Sequence, residues 1–562
     1  MVKLGYMDNL EKILTFFQAP TSNRIMDGYF IFTISHFLDY FDDLKSEVPI
    51  FGGVRENIDE LFKEALTSKM PETISNIEEV ILQILDYCKG MYNWSHQNAQ
   101  MNVIGPPPIS GIVAKIASCI VNANLVSDEY SHKFSLAEVE AVAILSNLIG
   151  YKSAKSGGVF TFGGTGTNLY GVKIGLEKCS PGTFQKGIHE KIKVFASDCA
   201  HYTKYNCTQW LGIGSDNLVI ISTAQNNAMI LSELEEKLRA EIEAQSKIAC
   251  IFATEGTTDA FGIDDLKGII EMRDKLVKEY NLPYDLHVHA DSVIGWIWAV
   301  FNDYNFKTNP LGFKKRTVKS LRVTSDLIKE LHLADSIGID FHKTGYAPYI
   351  SSLFLVKNRD DFTLLSRDKE TMPYLYQTGK YHPGVFTLEC SRDPSGPING
   401  ISNLKLLGKE GYRTIIGHVV EMAEILRNGL ESYEFIDVLN DYNYGSVTLF
   451  RVYPNNIDAK DQSEKEFSDP AFANDLKTYN DYNHKIYEYT VEKAYKGEGI
   501  ALSFTEAYRP TIYESSNAVN AIKSFIMSPF TNESSIQMVI DQILEARKKL
   551  AKAPKKSRKK GK

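Results

Sequence analysis

The turn Asp340-Phe341-His342-Lys343 places a lysine between two apolar segments that are typical of β-strands, ADSIGID before it and ISSLFLV after it. A lysine ammonium in an apolar setting costs free energy unless its charge is paired or chemically removed. Condensation of the amine with an aldehyde, which gives a Schiff base, removes the charge. The alternative is a surface lysine at a solvated turn, and this segment alone is compatible with both.

A glycine-rich segment, FGGTGTN over residues 162–168, lies upstream and is followed by apolar residues at helical spacing. A helix that begins in such a loop presents free N–H groups and the positive end of its dipole, and both favour a phosphate. The glycines let an anion approach the backbone, and the threonine hydroxyls can donate to it. The segment therefore predicts either a phosphate site or a simple turn.

Two further candidates follow strand-like segments. Asp291 ends LHVHAD, and a buried carboxylate at this point needs a cationic partner such as a protonated pyridine nitrogen. His201 follows KVFAS, at the strand end where ligands bind in α/β folds. The alternatives are a helix-capping or arginine-paired aspartate and a structural histidine.

The order of phosphate loop, histidine, aspartate and lysine resembles that of the group II pyridoxal-phosphate (PLP) decarboxylases, the family of the glutamate, tyrosine and aromatic amino acid decarboxylases. The resemblance runs from about Asn93 to about Ile543. It rests on the stretches TFGGTGTNLYGVKIGLEK, VFASDCAHYTKY, IFATEGTTDAFGIDDL, LHVHADSVIGW, SIGIDFHKTGYAPYISS and FTLECSRDPSG. The HKTGYAPY stretch looks most like the bacterial tyrosine decarboxylases and the bacterial PLP-dependent aspartate decarboxylases.

The resemblance implies a role for each candidate residue. Lys343 would hold PLP as a Schiff base, Asp291 would pair with the ring nitrogen, and His201 would stack on the ring. The residues implied near the phosphate or the ring are Gly164, Thr165, His342, Asp340, and Thr257 or Thr258.

The implied reaction is decarboxylation of an L-amino acid to the amine, with an aromatic substrate (tyrosine) or an acidic one (aspartate or glutamate). An aldehyde synthase, an aminotransferase or another lyase on the same fold is the alternative outcome. A charged segment, residues 360–384, is predicted to be a mobile lid whose Tyr376 or Tyr381 returns the proton. Lys523, where the family often has an arginine, and Arg392 are the candidate substrate-binding cations.

Apolar strands alternate with helices from about residue 109 to about 395, which predicts an α/β fold with a mostly parallel sheet covered on both faces. The resemblance implies the type I PLP-enzyme fold and a homodimer with the active site at the subunit interface. The predicted divisions are a helical segment 1–105, a large α/β domain 106–395, a smaller α+β domain 396–545 and a disordered basic tail 546–562. We expect an acidic linker at 455–469 and a basic surface excursion at 305–323, near the mouth of the site.

Composition excludes several other classes of protein. The 562 residues contain no apolar run of 18, so no transmembrane helix is expected, and the first residues lack a signal-peptide pattern. Seven scattered cysteines favour a reduced, cytoplasmic protein without disulfides or a metal site. The net charge is -8 although residues 547–562 carry ten basic and no acidic side chains, so the rest of the chain is acidic, which argues against dedicated nucleic-acid binding.

Overall fold

The computed structural model describes residues 5–514 and 516–552. The described N-terminal part contains four helices joined by long irregular segments, and it ends on a short strand. Its elements are α1 (Tyr6–Leu14), α2 (Met26–Asp42), α3 (Ile58–Ala65), α4 (Ile77–Cys88) and β1 (Ala99–Gln100). The asparagine side chains before α3 and α4 accept backbone N–H groups of the first helical turn, which fixes where these two helices begin.

The large α/β part alternates strands and helices, as the sequence pattern predicts. Its helices are α5 (Ile109–Val121), α6 (Asp128–Ser131), α7 (Lys133–Ile149), α8 (Gly164–Cys179), α9 (Thr183–Lys186), α10 (Thr203–Trp210), α11 (Leu231–Glu243), α12 (Leu266–Glu279) and α13 (Lys315–Ile328). Its strands are β2 (Gly157–Thr161), β3 (Ile192–Ser197), β4 (Leu218–Ile221), β5 (Lys247–Thr254), β6 (Val288–Asp291), β7 (Ser336–Asp340) and β8 (Ser352–Val356).

These seven strands form one sheet in the order β2-β8-β7-β6-β5-β3-β4. Strands β3 to β7 are parallel to their neighbours, and only the pairings of β8 with β7 and β2 are antiparallel. The carboxyl ends of β3, β5, β6 and β7 therefore meet at one edge of the sheet, where Thr254 is in register with Asp291. Ligands bind at this edge in open α/β sheets.

The C-terminal part forms a second sheet that includes a strand from the N-terminal part. Its elements are α14 (Ser395–Leu430), β9 (Ile436–Val438), β10 (Val447–Val452), α15 (Ala459–Ser468), α16 (Ala473–Tyr495), β11 (Ala501–Pro510), β12 (Ala518–Phe525) and α17 (Glu533–Lys552). The strand order is β1-β11-β12-β10-β9. The long helix α14 is kinked at Gly408, whose φ of +53° is not helical.

Three local predictions are wrong, at least in part. The expected linker at 455–469 contains helix α15, because Asp458 caps it and its Glu466 is buried in an ion pair with Arg451 at 2.7 Å. The expected surface excursion at 305–323 lies at the surface over residues 305–316, but its second half belongs to helix α13, whose inner face, which includes Leu321, is buried. The predicted tail begins inside α17, which continues to Lys552, and residues 553–562 of that tail lie outside the described residues.

The two largest hydrophobic cores among the described residues lie one in each of the two sheet-containing parts. The larger core covers the seven-stranded sheet and includes Trp296, Trp298 and Phe341, and the second lies between α14, α17 and the five-stranded sheet. No helix among the described residues is both long and apolar enough to cross a bilayer.

Candidate active site

The turn that carries Lys343 follows β7 directly and is held from several sides. The Thr344 hydroxyl donates to the Ile294 carbonyl at 2.8 Å, and the Tyr346 hydroxyl donates to the Met527 carbonyl at 2.9 Å. The next strand, β8, returns antiparallel to β7. The strand-turn-strand reading of this segment is therefore confirmed, and the turn has little freedom to move.

The Lys343 ammonium lies 3.0 Å from Asp340, and its side chain is mostly buried. The Ser352 hydroxyl donates to the other Asp340 oxygen at 2.6 Å, and His342 Nε2 lies 3.5 Å away. Burial raises the pKa of Asp340, but Lys343 and the hydrogen bond from Ser352 outweigh it and hold that pKa below its usual value. Asp340 is therefore an anion that positions the lysine amine. A carboxylate has no proton to donate to a phosphate, so the structure does not support the predicted phosphate contact of Asp340.

Asp291 ends β6 and is almost fully buried. Its Oδ2 accepts a hydrogen bond from Asn168 Nδ2 at 2.9 Å. Its Oδ1 is buried and has no partner among the residues that the structure describes. A buried carboxylate oxygen without a partner costs several kcal/mol, so this atom fits a cationic or N–H group that the protein chain does not supply.

His201 lies just after β3, and its Nδ1 is 3.3 Å from both the hydroxyl and the backbone N–H of Thr203. Burial is the main cause that lowers the pKa of His201, and Asp291, Lys343 and Asp340 all lie close enough for their charges to act on it. The structure therefore brings His201, Asp291 and Lys343 together, although they are 90 and 52 positions apart in the sequence.

The glycine loop opens helix α8 beside these residues, as predicted. Gly163 has a φ of +116°, which favours glycine, and a Cβ built on it would meet no atom within 4 Å. A Cβ on Gly164 would lie 3.0 Å from Asp340 Oδ2 and 3.1 Å from Val293. Gly164, in the first turn of α8, therefore faces the Lys343 cluster, and the positive end of the helix dipole lies there.

The remaining residues predicted near the cofactor lie at the same edge of the sheet. The His342 ring packs on Tyr349 with centroids 4.1 Å apart, and its Nδ1 is 3.1 Å from the Ser351 carbonyl. Thr257 accepts backbone N–H groups within its own turn, for example from Gly262 at 2.8 Å. Thr258, the next residue, is partly exposed.

Arg392 lies away from the predicted substrate site. Its guanidinium is buried, donates to Glu138 at 2.6 Å, and also donates to the carbonyls of Leu125 and Phe160. All three partners belong to the large domain, so Arg392 is held in a structural ion pair. The prediction that it binds substrate is wrong, because a buried carboxylate in the same chain already satisfies its charge.

The two candidate lid tyrosines do not contact Lys343 within the described chain. Tyr381 directs its hydroxyl at Glu138, 3.3 Å away, and the Tyr376 hydroxyl lies against the Met372 sulfur at 3.8 Å. Their role in proton return stays a prediction.

Lys523 reaches the edge of the site from β12. Its Nζ is 2.8 Å from Asp259, which follows β5 by five residues, and its side chain is mostly buried whereas that of Asp259 is half exposed. Asp259 is also among the charges that act on the pKa of His201. The pair therefore joins the small domain to the loop beside Asp291.

Sequence reasoning missed four residues of this cluster: Asn168, Thr203, Tyr349 and Ser352. Each of them lies within or beside a stretch that contains another predicted site residue. Ser352 is in register with Asp340 across the β7–β8 pair, so the strand-turn-strand pattern would have placed it there. Asn168 and Thr203 are found only through contacts between distant segments.

The chain has detectable relatives. Residues 56–297, which include His201 and Asp291 and end before Lys343, match the sequence profile of the family described as the pyridoxal-dependent decarboxylase conserved domain. An L-2,4-diaminobutyrate decarboxylase from Acinetobacter baumannii is 27% identical over 64% of this chain and 69% of its own. An aspartate 1-decarboxylase from Aliivibrio fischeri is 23% identical over 86% of this chain and 85% of its own.

A solved structure shares the fold. It is the glutamate decarboxylase domain of diaminobutyrate-pyruvate transaminase and L-2,4-diaminobutyrate decarboxylase from Vibrio parahaemolyticus. The TM-score is 0.71 at 16% identity, over 96% of this chain and 99% of that one. The likeness covers both sheets rather than the site alone.

Proposed function

We propose that the chain is a group II PLP-dependent decarboxylase, which removes the α-carboxylate of an L-amino acid and leaves the corresponding amine. The observation that carries the proposal is the buried, unpartnered Oδ1 of Asp291 beside the Lys343 amine and His201. This arrangement suits a heterocycle that carries a ring nitrogen, for Asp291, and an aldehyde, for Lys343.

The residues present fit PLP. When bound, this cofactor supplies a cationic ring that accepts the electron pair left at Cα when carbon dioxide departs. Asp291 Oδ1 would hold the ring nitrogen protonated, the backbone of Gly164 and Thr165 with His342 would hold the phosphate, and Lys343 would hold the aldehyde carbon. Thr258, which is partly exposed, would lie near the ring.

Each of these protein groups has a task that follows from its position. Asp340, as an anion 3.0 Å from Lys343, keeps the amine in place before and after it exchanges with the substrate amine. His201 would cover the ring face and orient the substrate carboxylate. A lid tyrosine, Tyr376 or Tyr381, would return a proton to Cα, which favours the amine over the aldehyde product.

For the substrate we propose an acidic amino acid ahead of tyrosine, because Lys523 is a mostly buried cation at the edge of the site. Its partner Asp259 is half exposed and can turn to water, which would free the ammonium for a substrate carboxylate. Tyrosine stays the second candidate from the sequence resemblance.

We further propose that the enzyme is a homodimer with the site at the interface. Helix α5 exposes an apolar stripe at helical spacing, formed by Ile109, Ile112, Val113, Ile116 and Ile120. Gly111 of this helix lies so close to Pro348 that a Cβ there would be 2.9 Å from the proline ring.

The stripe continues to the mouth of the site through Tyr349 and Ile350, which are about half exposed, and through Phe162. A second copy of the chain would cover this surface. An Ile112→Asp variant tests this: sedimentation should show the wild type as a dimer and the variant as a largely monomeric protein with low activity. A wild type that is monomeric and fully active would contradict the dimer proposal.

A cytoplasmic location is proposed on the basis of the cysteines. All seven are free thiols, three of them buried, which suits a reducing compartment.

The test of the proposed function is a spectrum followed by a substrate panel. The purified protein should bind PLP with a visible absorption band and release carbon dioxide from aspartate or glutamate faster than from tyrosine. Product analysis separates the amine from an aldehyde or a keto acid. A protein that takes up no PLP, or that gives only transamination products, would contradict the proposal.

A further inference from the structure

Two histidines beside Asp291 have no part in the chemistry proposed so far. His287 and His289 are two positions apart on one face of an extended segment, and both are fully buried. Each has a ring nitrogen 2.8 Å from the same hydroxyl, that of Ser336 on the neighbouring strand β7. A buried His-Ser-His cluster is therefore built next to the carboxylate at the end of β6.

The cluster continues at both ends. On one side His289 Nε2 is 3.0 Å from Asn168 Oδ1, and the same amide donates to Asp291. On the other side His287 Nδ1 faces the Lys178 ammonium at 3.5 Å, and Lys178 pairs with the partly buried Asp361 at 2.6 Å.

Glycines on the neighbouring helix α8 leave room for the two histidine rings. A Cβ on Gly171 of α8 would lie 2.6 Å from the His289 ring, and one on Gly175 would lie 3.0 Å from His287. Any side chain at Gly171 would displace the histidine.

The donor and the acceptor of each hydrogen bond in this cluster can be assigned by starting from Asp291. Asp291, as a carboxylate, can only accept, so Asn168 presents its NH₂ there and its oxygen to His289. His289 must then carry its proton on Nε2, which leaves Nδ1 to accept from the Ser336 hydroxyl. The Ser336 oxygen in turn accepts from His287 Nε2, so His287 Nδ1 is unprotonated. An ammonium, which can only donate, is the group found opposite that nitrogen.

The neutral state of both rings agrees with their surroundings. Burial, and then nearby His287, lowers the pKa of His289 to about 3. Burial, and then Lys178, lowers the pKa of His287 well below its usual value.

A branch leads to His201. The second N–H of Asn168 donates to the Thr203 hydroxyl at 2.9 Å, so this hydroxyl gives its own proton to His201 Nδ1. The backbone N–H of Thr203 points at the same nitrogen. A neutral His201 therefore carries its proton on Nε2, where it is free to donate within the site.

We propose that Lys178, His287, Ser336, His289 and Asn168 form a directional hydrogen-bond relay that orients Asp291 toward the cofactor ring nitrogen and, through Thr203, fixes the tautomer of His201. The inference rests on the proposed function for its purpose, but the proton positions do not depend on it. The relay residues are positioning residues, because Asp291 and His201 stand between them and the reacting atoms. Residues that orient a ligand from behind are worth about 10–100-fold in ligand affinity or activity in metal sites, and we expect the same range here.

The experiment combines neutron diffraction of the deuterium-exchanged holoenzyme with two variants of one residue. The map should show deuterium on Nε2 of His201, His287 and His289 and none on their Nδ1 atoms. His289→Leu should lower PLP affinity about 10–100-fold and shift the visible band. His289→Gln, whose amide N–H can replace Nε2, should recover most of that loss. Ser146→Ala, which removes one side of a fully buried hydroxyl pair outside the relay, is the control and should leave affinity and spectrum unchanged.

Deuterium on Nδ1 of His289 or His201 would overturn the relay. So would a His289→Leu variant within twofold of wild-type PLP affinity, or a glutamine variant no better than leucine. Failure of the wild type to take up PLP would instead contradict the proposed function, and the neutron map of that protein would still decide the proton positions.

Discussion

Replacement of Asp291 by asparagine tests the electronic role of this residue with little change of shape. Asn168 presents an N–H to Asp291 Oδ2 at 2.9 Å, so the new amide must turn its oxygen toward Asn168. Its NH₂ then occupies the place of Oδ1, the atom that has no partner within the described chain. An NH₂ can bond only to an unprotonated ring nitrogen.

Asp291→Asn should therefore keep the cofactor bound but leave its ring neutral, which makes it a poorer electron sink. We expect the rate of carbon dioxide release to fall about 10³-fold, which corresponds to about 4 kcal/mol of activation free energy. The assay first measures cofactor content by visible absorption and then single-turnover release of carbon dioxide. The exposed Asp285→Asn is the matched control and should be as active as the wild type.

An Asp291→Asn variant with full cofactor content and a rate within tenfold of the wild type would show that Asp291 does not act through the charge of the ring. A variant that binds no cofactor would refute the claim that the asparagine preserves the geometry.

Three further predictions concern residues around the site. Arg392→Met leaves Glu138 buried without its cation, so urea unfolding should show a loss of about 3–5 kcal/mol with the KM of the remaining folded enzyme unchanged; a raised KM at full stability would return Arg392 to the substrate site. Lys523→Met should lower kcat/KM for the acidic substrate roughly 10–100-fold, since a hydrogen bond to a charged group is worth about 1.5–3 kcal/mol, and equal kinetics in both proteins would remove Lys523 from the substrate site. His289 takes up a proton in the unfolded chain near pH 6.5 but near pH 3 in the fold, because burial and His287 lower its pKa. The free energy of unfolding should therefore fall by up to about 1.4 kcal/mol for each pH unit below about 6.5, and His289→Gln should remove that part of the slope; identical slopes in urea titrations between pH 6 and pH 4 would contradict this.

Local pattern was sufficient for the elements that carry the site. The apolar segments around Lys343 and before Asp291 and His201 are short strands, and the glycine loop begins a helix, because each of these features depends on neighbouring residues alone. Their meeting at one edge follows from the parallel order of the strands, which alternation with helices predicts.

Contacts between segments that are distant in the sequence cannot be predicted from local pattern. The strand β1 is two residues long and pairs with β11, about 400 residues later, so no local pattern marks it. The charge of Arg392 pointed to a substrate, but its partner Glu138 lies on helix α7 and is found only in the folded chain. The sequence of residues 459–468 is typical of a linker because the few positions that are buried in the fold are small or charged.

We propose that Lys343 is the amine that holds the cofactor, and borohydride reduction of the holoenzyme followed by peptide mass spectrometry identifies that amine. We expect one reduced pyridoxyl phosphate group per chain, on the peptide that contains Lys343. A label on Lys204 or Lys523, the other buried lysines near the site, or no label at all, would contradict it.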